Sequence, residues 1–142
     1  MQTLFESKYV DLVRYRCTIE VIGQSKVYTT DEDTRKLVKK PSHAISRVVE
    51  YIRILDHDDN TVRMLPITSL YKNIDSYIQP GLECTMYFAD SHERGGNCSI
   101  FAMVIGDRYV EDIDSFYASL SGIGRLLPIF YVMIAATIVL GI

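Results

Sequence analysis

Hydrophobic and polar positions alternate along the first part of the chain. In residues 9–22, Tyr9, Val13, Tyr15, Cys17, Ile19 and Val21 share one parity, and Arg14, Arg16, Thr18 and Glu20 fall on the other. A period of two predicts a long half-buried strand with Cys17 on its apolar face. Residues 46–55 and 61–66 are β-rich runs flanking Asp56-His57-Asp58-Asp59-Asn60, a cluster of turn formers that predicts a hairpin. Residues 82–89 and 98–105 predict a second hairpin, with Leu82, Cys84, Met86 and Phe88 on one face and Gly95-Gly96-Asn97 in the connection.

Between the hairpins the period changes. Ile67, Leu70, Ile74 and Ile78 recur at helical spacing, with Thr68 as a candidate cap and Pro80-Gly81 as a stop. After the second hairpin Val110, Ile113, Phe116, Tyr117 and Leu120 return to helical spacing, followed by Gly122 and Gly124. In residues 30–41, Thr30 is a candidate cap, Asp31, Glu32 and Asp33 fill a first turn, Lys39 and Lys40 a last one, and Pro41 follows. That order suits the helix dipole, but Leu37 and Val38 alone are apolar, so a helix and a loop are equally open.

The expected fold is mainly β (α+β): a small five-stranded antiparallel barrel, followed by a C-terminal transmembrane helix. Five strands with a helix between the third and fourth resemble the OB-type barrel in element order only. An SH3-like barrel, or an open antiparallel sheet with a helix on one face, fits nearly as well. The expected divisions are a β-barrel domain over 1–106, an amphipathic connecting helix over 107–122 and the transmembrane helix over 123–142.

That last segment has a distinct composition. From Leu126 onward no charged side chain and no polar stripe interrupts it. A spanning helix needs about 20 apolar residues, and a helix on a small soluble domain normally keeps a polar face. Arg125 can snorkel to the headgroups, and Pro128 falls in the first turns, where a missing backbone donor costs least. Phe130 and Tyr131 suit the interface at the same end. Thr137 and Gly141 form a small-xxx-small pair that would allow a homo-oligomer through this helix. The partners expected are therefore a lipid bilayer and another membrane or cytoplasmic protein. The N-terminus reads MQTLFESKYV, without a basic start and apolar core. A cleaved signal peptide is not expected, so the localisation is a single-pass membrane protein with its N-terminal domain cytoplasmic.

Composition narrows the chemistry. The chain has 142 residues and a net charge of −3, which argues against a dedicated nucleic-acid binder. Three cysteines without a close pair read as reduced core thiols. Positive charge gathers at Lys26, Arg35, Lys36, Lys39, Lys40 and Arg47, offset by Asp31, Glu32 and Asp33. This segment is the candidate anionic-ligand patch, with Tyr28, Tyr51 and Tyr71 as candidate stacking residues.

The turn 56–60 is rich in oxygen ligands but lacks the spacing of an EF-hand loop. Ser91-His92-Glu93 lacks the second histidine of a zinc-protease helix, and adjacent residues rarely converge on one atom. His43 has no distinctive partner in the sequence. No phosphate loop, nucleophile elbow or dinucleotide fingerprint is present. Neither an enzyme nor a cofactor is expected. The expected function is a membrane-anchored, non-enzymatic protein whose β domain recruits or regulates a partner, or serves as an accessory subunit of a membrane complex. The alternative is a membrane-tethered OB-type module for nucleic acid or an anionic ligand, using residues 26–47.

Overall fold

The computed structural model describes residues 1–27, 45–92, 98–114 and 116. The described part is 64% strand. Ten strands follow in chain order: β1 (Gln2–Phe5), β2 (Val10–Ile22), β3 (Ser25–Val27), β4 (Ile45–Val49), β5 (Ile52–Asp56), β6 (Thr61–Leu65), β7 (Thr68–Tyr71), β8 (Glu83–Ser91), β9 (Cys98–Ile105) and β10 (Arg108–Glu111). One short helix, α1 (Lys72–Asp75), lies between β7 and β8.

All ten strands belong to one sheet, in the order β3-β4-β7-β9-β8-β2-β5-β6. β1 adds to β2, and β10 to β9. The sheet is mixed, because β7 runs parallel to β9, and it is not closed into a barrel. β3 and β6 end the hydrogen-bonded path.

The five-stranded antiparallel barrel is thus corrected to an open ten-stranded mixed sheet. Three features account for the difference. The run 46–55 divides at Glu50-Tyr51 into β4, which pairs with β7, and β5, which pairs with β2. Residues 68–71, expected to be helical, form β7 instead, and all four are buried. Residues 108–111 form β10 against β9, so helical structure begins only at Ile113.

β2 organises the molecule. Its 13 residues pair with β8 along one edge, and with β1 and then β5 along the other. Its inner face carries Val13, Tyr15, Cys17 and Ile19 into a core shared with Ile52, Ile54, Met86, Phe88 and Ile100. Its outer face carries Val10 and Leu12 into a second cluster with Tyr87, Phe101, Ile113 and Phe116, flanked by Leu4 and Phe5. A bulge lets both faces be filled: Tyr87 opposes Ala102 and Phe88 opposes Ile100, leaving Phe101 as the extra residue. Phe101 stacks on Phe116 at 4.6 Å between centroids. This outer cover lies over β1, the start of β2, β8 and β9.

Cys17 and Cys84 face each other across β2 and β8, and Cys98 lies on β9. All three are buried free thiols, as their apolar positions predict. A hydrogen bond with Cys84, and then burial, push the Cys17 thiol well above its usual value. Burial pushes the Cys98 thiol up to about 11. Both stay protonated at neutral pH.

Among the described residues no helix is long and apolar enough to cross a membrane. The segment 123–142, with Arg125, Pro128, Phe130, Tyr131, Thr137 and Gly141, lies outside the described residues.

Candidate functional site

The β5–β6 hairpin ends the sheet, and its two faces have different chemistry. On the inner face Asp56 continues the parity of Ile52 and Ile54, so its carboxylate enters the end of the apolar core and is 0% exposed. An isolated charge there would be costly. Three donors offset it: the Met1 ammonium at 2.9 Å, Arg63 Nε at 2.8 Å and the Asp58 amide at 3.0 Å.

Asp58 accepts a second hydrogen bond from the Met1 ammonium at 2.9 Å. Asp59 accepts from Arg63 Nη2 at 2.6 Å and from the Thr61 amide and hydroxyl. Asn60 takes the positive φ of 56° that closes the turn. Burial pushes the Asp56 carboxyl up, but the ammonium, the Asp58 amide and Arg63 outweigh it and leave it below the usual range.

These carboxylates are therefore engaged by cations and amides within the chain. No group of three or more His, Cys, Asp or Glu suited to a metal is found among the described residues. His57 shares a hydrogen bond with the Thr18 hydroxyl at 2.8 Å. His92 contacts Asp11 at 2.9 Å. The two histidines are tied to different parts of β2, His92 near its start and His57 past its middle. Glu93 and His43 lie outside the described residues.

The outer face of the hairpin is open and carries exposed apolar side chains beside Arg53. Val62 is 57% exposed and Met64 59%, and Ile67, outside the hairpin past Pro66, is 54% exposed. Val62 lies opposite half-buried Leu55, and Met64 opposite Arg53. Lone exposed apolar residues are ordinary, but Val62 and Met64 share one face of a terminal strand, and Ile67 follows two residues past its end. β6 pairs only with β5 among the described residues, so its other edge presents backbone donors and acceptors.

The candidate anionic patch has a different fate. Arg47 lies on β4, opposite Val27, and Lys26 lies on β3. Arg47 donates through Nε to Asp75, at 2.5 Å, and Asp75 also accepts from the Ser46 hydroxyl at 2.6 Å. Its guanidinium thus fastens β4 to α1. Tyr71 is 1% exposed and cannot stack on a base. The Tyr51 ring instead covers Gly23, where a Cβ would stand 2.6 Å from its Cδ1. Arg35, Lys36, Lys39, Lys40 and Tyr28 lie outside the described residues.

The open patch was not singled out in the sequence. Its signal was the alternation Val62-Arg63-Met64, which says that two apolar side chains share a face. It does not say that the strand is the last of its sheet. No protein family model matches the chain, and neither a curated protein nor a solved structure matches it.

Proposed function

We propose that this chain is a membrane-anchored, non-enzymatic recruitment module. The segment 123–142, uncharged from Leu126 onward, anchors it in a bilayer as a single pass. The β domain stands on the cytoplasmic side and docks a partner protein at the β5–β6 hairpin. The observation that carries this reading is the exposed pair Val62 and Met64 on one face of β6, with Ile67 exposed just past its end, beside an edge of β6 that is unpaired among the described residues. The fitting partner is an extended segment with apolar residues at alternate positions. Its backbone would continue the β6 ladder, and its side chains would cover Val62 and Met64.

Two parts of the proposal are tested separately. The intact chain and a chain truncated after Gly122 are expressed in the same cells and fractionated. The intact chain is expected to stay with membranes through alkaline carbonate washing and to be released by detergent. The truncated chain is expected in the soluble fraction. Identical fractionation of the two would remove the anchor. Val62→Asp with Met64→Asp, in the intact chain, is expected to leave membrane association unchanged and to abolish partner capture. Unchanged capture would remove the docking face.

A further inference from the structure

The free edge of β6 offers a defined set of backbone groups, and the bonds of its neighbours fix which ones. In an antiparallel strand, successive residues direct their N–H and C=O to opposite sides. The His57 amide donates to the Arg16 carbonyl, and the Gly23 amide donates to the Tyr51 carbonyl. The odd-numbered positions along β5 therefore bond to β2, which leaves Ile52, Ile54 and Asp56 to bond to β6. Their partners Leu65, Arg63 and Thr61 point back at β5. Val62 and Met64 thus direct their N–H and C=O at the free edge, where no further strand pairs with β6 among the described residues. Pro66, the next position of that parity, has no N–H to offer.

Charge does not guard this edge. Arg63, between the two edge-facing residues, is already engaged within its own chain, by Asp56 at 2.8 Å and Asp59 at 2.6 Å. Its guanidinium can therefore meet a second one without an unneutralised charge on either side.

We propose that the β6 edge pairs with the β6 edge of a second copy of this chain, antiparallel, about a two-fold axis at Arg63. This rests on the reading of that edge as a docking face and names its partner. The edge requires an extended segment whose free backbone groups and apolar side chains fall on the same alternate residues. Thr61–Leu65 is itself such a segment. About this axis Val62 of each copy lies opposite Met64 of the other, and the two exchange both backbone bonds. Every N–H and C=O that these residues direct at the edge is then satisfied. Directly opposed side chains share a face, so the exposed Val62 and Met64 of one copy cover those of the other.

Neighbouring registers fit less well. An axis at Met64 sets Val62 against Pro66, which returns no hydrogen bond. An axis at Val62 sets Met64 against Asn60, whose positive φ of 56° has left the strand. The contact at Arg63 uses the same surface on both copies, so it closes as a dimer and does not propagate. A seam of one short strand is smaller than the interfaces of permanent dimers, so the pair exchanges and is best captured covalently.

The test uses the full chain in mild detergent, as two differently tagged preparations, Val62→Cys and Met64→Cys. Each is oxidised with copper phenanthroline alone and after mixing. Opposed residues of a bonded antiparallel pair stand about 5.5 Å apart between Cα atoms, within disulfide reach. The diagonal pairs, Val62 with Val62 and Met64 with Met64, stand about 7–8 Å apart, beyond it. The mixture is expected to give several-fold more covalent dimer than either preparation alone, with both tags in the product. The wild-type chain, whose three cysteines are buried, is the blank. Equal yields in mixed and single preparations, or no dimer in the mixture, would overturn the pairing at Arg63. The docking face is judged separately, by a photoreactive residue at Val62 in cells. An adduct of twice the chain's mass agrees with self-pairing. A discrete adduct to a different protein, with none to a second copy, overturns self-pairing and leaves the docking face standing. No adduct at all removes both.

Discussion

Arg63 and Asp56 pair across the β5–β6 hairpin, Nε to Oδ2 at 2.8 Å, with the carboxylate buried and the guanidinium side chain 34% exposed. The pair is held on the core face, while the neighbours Val62 and Met64 turn to the other side. One short strand thus has a face fixed to the core and a face left open.

Removing the carboxylate should cost more than removing the arginine. Asp56→Ala leaves the Met1 ammonium and Arg63 without their shared acceptor. Both cations are about a third exposed, so water compensates part of the loss. The expected destabilisation is about 2–3 kcal/mol, below the range for fully buried pairs. Arg63→Ala, with the ammonium and the Asp58 amide still in place, is expected to cost about 1 kcal/mol. Urea unfolding of the two variants gives the order, and equal costs would contradict it.

The same group makes stability depend on pH in two directions. The Asp56 carboxyl is lowered on folding: burial raises it, and its three donors more than compensate. Its contribution is complete above the ordinary aspartate value, about 3.9, and is lost as pH falls through the lower folded value. The Met1 ammonium is raised above 8.0: burial lowers it, and hydrogen bonds to Asp56 and Asp58 outweigh that. Its contribution is complete below the unfolded value and is lost as pH rises through the folded one. Urea midpoints are expected to fall at both ends. Asp56→Asn should flatten part of both limbs, and acetylation of the Met1 amine should flatten the alkaline limb. An unchanged alkaline limb after acetylation would exclude the ammonium.

Gly23 is expected to resist substitution. A Cβ there would meet the Tyr51 ring at 2.6 and 2.7 Å, and the Gly23 amide bonds to the Tyr51 carbonyl at 2.9 Å. Gly23→Ala should cost about 1–3 kcal/mol by overpacking. In Gly23→Ala with Tyr51→Ala the steric component should disappear. A double-mutant cycle in urea measures the coupling, and additive costs would exclude the contact.

Phe101 ties the bulge to the outer cover. It is fully buried between Tyr87 and Phe116, with centroids at 6.4 and 4.6 Å. Phe101→Ala is expected to cost about 3–5 kcal/mol. A loss under about 1 kcal/mol in urea unfolding would show that the outer cluster does not support the sheet.

Strands with polar side chains along part of one face were legible in the sequence, even where that face is covered, as on β2 and β8. β2, the β5–β6 hairpin and the β8–β9 pair follow from alternation and turn chemistry, and the thiols lie in the core as their parity predicts. β7 was not legible because Thr68, Ser69, Leu70 and Tyr71 are all buried. A strand covered on both faces loses its alternation, and the spacing of Ile67, Leu70, Ile74 and Ile78 mimics a helix. Arg14 was misplaced for a related reason. Parity assigned it to solvent, but β1 and the apolar cluster of Phe101 and Phe116 cover much of that face. Parity separates two faces and cannot say whether the second is covered. Arg47 joined the basic patch in sequence because its partner, Asp75, is 28 residues away.

The docking face is tested most directly by site-specific photocrosslinking in cells expressing the intact chain. A photoreactive residue is placed at Val62, at Met64 or at Tyr109, an exposed position on β10. Val62 and Met64 are expected to give the same discrete adduct, lost when the neighbouring patch residue becomes aspartate, while Tyr109 gives none. No adduct at Val62 and Met64, or the same adduct at all three positions, would contradict a partner on the β6 edge.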